Sequence, residues 1–99
     1  MAYGVLITPA AQRDADEFVG YLRGKLESEV TVARWVDGLF TAIDTLAEMP
    51  SRCPLVRERR LAAVSVRGLL YASHRIVFRH HDTTVTVLRI YQASRRALS

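Results

Sequence analysis

Cysteine is almost absent from this 99-residue sequence, and long runs of apolar residues are missing altogether. The single thiol, Cys53, excludes a disulfide within the chain and is typical of proteins in a reducing compartment. No apolar stretch is long enough to span a bilayer, and the first residues have neither the charged n-region nor the cleavage site of a secretory signal. We therefore expect a cytoplasmic protein without a membrane segment.

Motifs for metal, cofactor and covalent chemistry are missing as well. No Cys-x-x-Cys or His-x-x-x-His spacing occurs, and the adjacent His80 and His81 would point to opposite faces of a strand. Ser73 precedes His74, but no Gly-rich elbow surrounds this serine, and no Gly-rich loop suits a phosphate. We predict no metal site and no cofactor.

General acid–base cleavage of RNA is one chemistry that the residues leave open. Attack by a 2′-hydroxyl needs a base, an acid and cations around the phosphate. Arg67, Arg75 and Arg89 are candidates for holding the phosphate, because a guanidinium is planar and always charged. Tyr91 is a candidate acid or stacking platform. The alternative for Tyr91 is an amphipathic residue at a strand end, with its ring in the core.

Charge is divided unevenly along the chain. Residues 1–51 hold four basic and eight acidic residues, a net charge of −4, whereas residues 52–99 hold ten arginines and two acidic residues, a net charge of +8. This division favours an acidic partner for the second part. The alternative is that the arginines only solubilise the exposed face of a sheet.

Two amphipathic helices are predicted in the first half. Thr8 and Pro9 suit the N-cap and first position of a helix, and Pro50 is a stop signal for the second one. The apolar stripes are Ala11, Ala15, Phe18, Leu22 and Leu26 in the first helix and Val32, Val36, Leu39, Ile43 and Leu46 in the second. The 3.6-residue period predicts helices over about residues 9–26 and 29–49. Their apolar faces need a partner, which a sheet supplies.

Short β-branched segments with alternating polarity predict the sheet. They are Tyr3 to Ile7 before the helices, then runs around Val64 to Leu69, His74 to Arg79 and Thr84 to Tyr91. The gaps at residues 71–73 and 81–83 are hairpin-sized, whereas Pro50 to Arg60 reads as a loop. The prediction is one α+β domain over residues 1–99, ordered β-α-α-β-β-β. A helical hairpin packs on one face of a mainly antiparallel four-stranded sheet, and the other face stays partly open. We expect Leu39 in the centre of the core, with Trp35 and Phe40 in or beside it.

An ordered set of short motifs carries a family resemblance. They are VLITPAAxxDAD at residues 5–16, AIDTLAEMP at 42–50, VR at 66–67, SHRIVFR at 73–79 and VLRIYQAS at 87–94. Together they resemble the RelE/ParE superfamily of toxins from bacterial type II toxin–antitoxin modules, with the ParE branch the more similar. The resemblance covers nearly the whole chain in the expected order of elements.

The resemblance implies a toxin that a small antitoxin neutralises by folding a flexible segment over it. ParE-like members poison DNA gyrase without being enzymes, whereas RelE-like members cleave mRNA on the ribosome. Arg67 and Arg75 match the two strand arginines common in the superfamily. No lysine follows Lys25, however, and Gln92 stands where many ParE-like chains have histidine.

These departures favour a non-enzymatic gyrase inhibitor as the expected function. The alternatives are a ribosome-dependent mRNA endonuclease using Arg67, Arg75, Arg89 and Tyr91, or a non-toxic relic that still binds its antitoxin. The expected partner-binding residues are Arg67, Arg75, Arg79, Arg89, Tyr91, Gln92, Arg95 and Arg96. We expect the antitoxin segment to be rich in acidic and apolar residues.

Overall fold

The structure is a computed structural model that describes residues 3–56 and 66–93. Its elements are β1 (Gly4–Ile7), α1 (Pro9–Gly24), α2 (Glu29–Asp44), β2 (Leu55–Val56), β3 (Val66–Tyr71), β4 (His74–His81) and β5 (Thr84–Gln92). Two short 3₁₀ helices, Thr45–Ala47 and Pro50–Arg52, link α2 to β2. No helix in the described ranges is long and apolar enough to cross a membrane.

The first helix starts as predicted but ends two residues early. The Thr8 hydroxyl accepts a hydrogen bond from the Ala11 amide at 3.1 Å, and Pro9 occupies the first position. At the other end, the amide of Glu27 donates to the Leu22 carbonyl and that of Leu26 to Arg23, which is the Schellman pattern. Leu26 therefore adopts a left-handed φ of 61° and is 92% exposed. Its assignment to the apolar stripe was wrong.

The second helix begins at the polar break that the sequence indicates. The Ser28 hydroxyl accepts from the Thr31 amide at 3.1 Å. The helix ends at Asp44, earlier than predicted, because the chain tightens into the first 3₁₀ helix before Pro50. The Arg52 guanidinium closes this end, donating to the carbonyls of Glu48 at 2.8 Å and Thr45 at 3.2 Å.

The sheet has five strands, not the four that were predicted. Their order is β1-β5-β4-β3-β2, with β1 parallel to β5 and the other pairs antiparallel. The extra strand is β2, which lies in the segment predicted as a loop. Only two of its residues pair, Leu55 with Arg67 and Val56 with Val66, and Pro54 directly precedes them. A strand of two residues is too short to show an alternation of apolar and polar side chains, and the preceding proline argues against a strand, so the sequence did not indicate it.

Both helices pack on one face of this sheet around a single core. Leu39 is 1% exposed and lies among Ile43, Ile76, Phe78 and Val87, so its central position is confirmed. Trp35 packs against this core as predicted, and Phe40 lies at its exposed edge. On the face away from the helices, Leu6, Leu70 and Arg79 are exposed, so this face is partly open.

A bulge in β5 changes which of its side chains reach the core. Phe78 pairs with Val87 and Val77 with Arg89, which leaves Leu88 as an extra residue. The buried positions accordingly shift from Val85 and Val87 to Ile90. Arg89 is thereby placed beside Val77, away from the core, and the last residues of β5 are turned toward α1.

Candidate functional site

A cavity of about 450 Å³ opens between α1 and the last part of β5. Strand β1 pairs with Thr84 to Val87, and beyond Val87 this edge of β5 has no neighbouring strand among the described residues. Helix α1 contributes Asp14, Glu17, Phe18 and Tyr21 to the cavity wall. The strands contribute His74, Arg89, Ile90, Tyr91 and Gln92.

Asp14 holds the unpaired edge of β5 to α1. Its carboxylate accepts two hydrogen bonds from Arg89, at 2.8 Å from Nε and 2.9 Å from the terminal nitrogen. It also accepts the Ile90 amide at 2.8 Å, which replaces the missing ladder bond. The side chains of Arg89 and Asp14 are only 28% and 11% exposed, so this bidentate pair is partly shielded from water. The Arg89 guanidinium also lies 4.9 Å from the centre of the Tyr91 ring.

An aromatic cluster surrounds His74 at the inner end of the cavity. The imidazole centre lies 4.3 Å from the Phe18 ring and 5.3 Å from the Trp35 ring, and only 3% of the residue is exposed. Burial lowers the pKa of His74, because desolvation penalises the charged imidazolium. The ring therefore adds no positive charge to the cavity at neutral pH. Its one hydrogen-bond contact in the described chain is a long one, 3.5 Å from Nδ1 to the Ser73 hydroxyl.

Tyr71 completes the support of this cluster. Its hydroxyl donates to the Trp35 carbonyl at 2.7 Å. Burial raises the pKa of Tyr71, and the nearby Asp37 carboxylate adds to the effect. The ring presses against Gly38 of α2, where a Cβ atom would lie 2.9 Å from Cζ. Trp35 keeps its Nε1 buried without a hydrogen-bond partner among the described residues.

The residues predicted to bind a partner or phosphate are distributed over several places. Arg67 pairs with Phe78 on the helix side and donates to the Cys53 carbonyl at 2.6 Å and the Ser51 carbonyl at 3.3 Å. Arg75 and Arg79 alternate with core residues of β4 and so belong to the opposite face. Arg89, Tyr91 and Gln92 border the cavity. Arg95 and Arg96 lie outside the described residues.

Sequence reasoning missed the acidic and aromatic wall that α1 contributes. A signal was present at Asp14, which follows Ala11 by three residues and precedes Phe18 by four. That spacing puts a carboxylate on the apolar stripe, where it needs a partner. The partner itself, Arg89, lies 75 positions away and could not be read from local spacing. Within the described ranges, no group of three or more His, Cys, Asp or Glu residues could hold a metal ion.

A family model described as the ParE toxin of the type II toxin–antitoxin system, parDE, matches residues 5–97. The chain belongs to the ParE toxin family. The cavity and both helices lie within the matched range, and so do all the strands except the first residue of β1. No curated protein sequence matches the chain.

Two solved structures of toxin–antitoxin systems share this ParE-type fold. The chromosomal ParDE system of P. aeruginosa has a chain with a TM-score of 0.73 and 17% identity, covering 94% of this chain and 98% of its own. The RelBE2 complex of Mycobacterium tuberculosis gives a TM-score of 0.59 and 23% identity, covering 93% and 99%. At these identities the likeness extends to the fold.

Proposed function

We propose that this ParE-family chain is the toxin of a type II toxin–antitoxin module and inhibits DNA gyrase without catalysis. A cognate antitoxin neutralises it. Family membership supports the toxin role. The two similar structures come from toxin–antitoxin systems, which supports a protein antitoxin as partner. A gyrase target places the protein in the cytoplasm.

The observation that carries the non-enzymatic interpretation is that two of the three candidate phosphate-binding arginines already hold partners within the protein. Arg67 is bonded to backbone carbonyls on the helix side of the sheet. Arg89 is held by Asp14, whereas Arg75 makes no hydrogen bond or ion pair with a described residue. A nuclease needs its cations to converge on one phosphate. With Arg67 and Arg89 already engaged, the positive charge of the chain is better suited to general attraction toward a large acidic target.

One pair of residues favours the endonuclease as a second candidate. Arg75 pairs directly with Tyr91 across the β4–β5 ladder. A guanidinium and a phenol are therefore side by side on one face of the sheet. A ribosome-bound mRNA would meet them on the side away from the helices. The relic without a toxic target is the third candidate, because Gln92 replaces the histidine expected from the resemblance.

Expression of the chain without antitoxin separates these candidates. Purified gyrase is assayed for supercoiling and for trapped cleaved DNA, and a translation extract is assayed for cut mRNA. We expect gyrase inhibition with intact mRNA. Codon-phased mRNA cleavage with unaffected gyrase would overturn the proposal, and Tyr91→Phe should then slow the cutting. If the chain neither inhibits gyrase nor causes mRNA cleavage but still binds an antitoxin, it is the non-toxic relic.

The antitoxin is tested independently of the target. The basic half of the chain and the partly open sheet suit a segment rich in acidic and apolar residues that folds on binding. We expect a small reading frame beside this gene whose product co-purifies with the chain. A gene neighbourhood without such a frame would contradict this part of the proposal.

A further inference from the structure

The cavity beside α1 differs in charge from the rest of the molecule. At neutral pH its wall carries two carboxylates, Asp14 and Glu17, and one guanidinium, Arg89, since His74 is kept neutral by burial. Counted over its lining residues the wall is therefore net negative, whereas the whole chain has a net charge of +4; the ammonium of Lys25, which is not a lining residue, lies 5.3 Å from the ring centre of Tyr21. An anionic ligand would meet repulsion here, and a cationic one would be attracted.

Three side chains of the cavity wall can accept a hydrogen bond, and one of them, Gln92, can also donate. Glu17 makes no ion pair or hydrogen bond with any described residue. Its ionised carboxylate can accept hydrogen bonds but cannot donate them. The Gln92 side chain also lacks a described partner, and its amide oxygen accepts. Neutral His74 has a second ring nitrogen with no described hydrogen bond, and that nitrogen accepts when Nδ1 carries the proton.

Aromatic rings supply the rest of the wall. Phe18 and Tyr21 line it from α1, with ring centres 5.6 Å apart and ring planes inclined at 30°, and Tyr91 lines it from β5. Two cations of the chain already lie over rings of this wall. The Lys25 ammonium is 5.3 Å from the Tyr21 ring centre, and the Arg89 guanidinium is 4.9 Å from the Tyr91 ring centre. Planar cations stack on aromatic faces and donate hydrogen bonds around their edge.

We propose that this cavity binds an arginine side chain of a partner protein, which under the proposed function is the antitoxin. A guanidinium carries only donors and a delocalised positive charge, which complements Glu17, Gln92 and the flanking rings. The cavity thus provides an anchor point for one basic group on a toxin whose residues 52–99, with a net charge of +8, attract acidic groups. An antitoxin segment with one arginine among acidic and apolar residues would fit both the cavity and the basic residues 52–99.

The first test uses a small probe and does not depend on the antitoxin. N-acetyl-arginine amide is titrated into the ¹⁵N-labelled chain, with the uncharged citrulline analogue as its near-isosteric control. We expect saturable shifts of the Ile90 and Gln92 amides with the arginine probe, and at least about tenfold weaker binding of the citrulline probe. Equal binding of the two probes, or stronger binding of inorganic phosphate at these amides, would overturn the proposal.

Matched variants then assign the effect to the cavity. Glu17→Gln removes the unpaired carboxylate and should weaken the arginine probe by about tenfold. Asp16→Asn removes the same charge from the neighbouring residue, which does not line the cavity, and should change binding by less than about twofold. Equal effects of the two variants would mean general electrostatic attraction and would contradict the proposed site.

The partner is tested on the intact toxin–antitoxin complex. Titration calorimetry should show that Glu17→Gln weakens the antitoxin by about tenfold, and that replacing one arginine of the antitoxin removes the difference between wild type and variant. If Glu17→Gln abolishes probe binding but leaves antitoxin affinity unchanged, the antitoxin is not the occupant and this part of the inference fails. If no antitoxin exists, the proposed function fails. The titration with the arginine probe still shows whether the cavity binds a guanidinium.

Discussion

Gly38 of α2 lies where a larger residue does not fit. A Cβ atom there would collide with the Tyr71 hydroxyl and lie 2.9 Å from Cζ of the same ring. The ring cannot withdraw without losing its hydrogen bond to the Trp35 carbonyl. A glycine in the interior of a helix weakens it. The close packing of α2 against Tyr71 of β3 explains why this position nevertheless holds a glycine.

We expect Gly38→Ala to lower the free energy of unfolding by about 1–2 kcal/mol, because the clash exceeds the gain in helix propensity. Gly20→Ala in α1 is the matched control. No atom lies within 4 Å of a Cβ at Gly20, so this variant should gain up to about 1 kcal/mol. Urea unfolding of both variants checks the prediction. In a Tyr71→Phe background the cost of Gly38→Ala should shrink, and an unchanged cost would point to a different cause.

His74 should make the stability of the protein depend on pH. Its folded-state pKa lies below the ordinary value of about 6.5, so the unfolded chain binds the proton more readily. The free energy of unfolding should be highest above about pH 6.5 and fall as the pH drops below it, until the folded-state pKa is reached. The carboxylates of Asp14 and Glu17 and the guanidinium of Arg89 border the same cavity.

Urea unfolding between about pH 5.5 and 7.5 measures this slope. His74→Gln should flatten it, since the titrating imidazole is gone. His81→Gln removes an exposed imidazole at a turn and should keep the slope that His74 causes. A slope that survives in His74→Gln would assign the pH dependence to other groups.

At the scale of the elements, Leu39 is one of the α2 residues, with Ile43, that lie in the core between the helices and the sheet. Its side chain is 1% exposed, whereas the next residue, Phe40, is 38% exposed. We expect Leu39→Ala to cost about 2–5 kcal/mol, as for other buried leucines. Because a small domain has only about 5–15 kcal/mol in total, this variant should be badly weakened. Thermal or urea unfolding checks it, and Phe40→Ala should cost clearly less. A loss below about 1 kcal/mol would mean that Leu39 is not central to the core.

The elements that could be predicted from the sequence are those with local signals. Thr8-Pro9 and Ser28 mark the two helix starts, and the turn segments between β3, β4 and β5 are short and polar enough to indicate hairpins. The end of α1 was missed because Leu26 continues the apolar spacing, while the chain there adopts a left-handed conformation normally taken by glycine.

The bulge in β5 shows why the candidate site was only partly predictable. Strict alternation over residues 84–91 would place Arg89 and Tyr91 on the same face as Val85 and Val87. The adjacent apolar pair Val87-Leu88 was the available signal for a change of face, and Ile90 is the buried residue that results. Arg89 and Tyr91 were correctly placed in the last strand, which extends one residue further than predicted, to Gln92, but the contribution of α1 depends on tertiary contacts that no local period reveals.

At the scale of the whole molecule, acidic residues are concentrated in the helical half and arginines in the sheet half. This division along the sequence predicts that the second half is attracted to acidic surfaces in general. Two of the sheet arginines are already engaged, Arg67 with backbone carbonyls and Arg89 with Asp14. Fewer guanidinium groups are therefore available for phosphates than the net charge suggests.

The salt dependence of binding distinguishes a specific partner from general attraction to nucleic acid. A protein that neutralises six to ten phosphates loses roughly 10³–10⁵ in affinity between about 50 and 200 mM salt. We expect this chain to bind random duplex DNA with a shallower slope and to prefer its antitoxin at every salt concentration, because apolar burial in that complex is insensitive to screening. Fluorescence anisotropy with a labelled duplex and a labelled antitoxin segment, each measured over the same salt series, gives both slopes. A steep duplex slope without preference for the antitoxin would instead identify a basic module that binds nucleic acid non-specifically, and the antitoxin part of the proposed function would then be wrong.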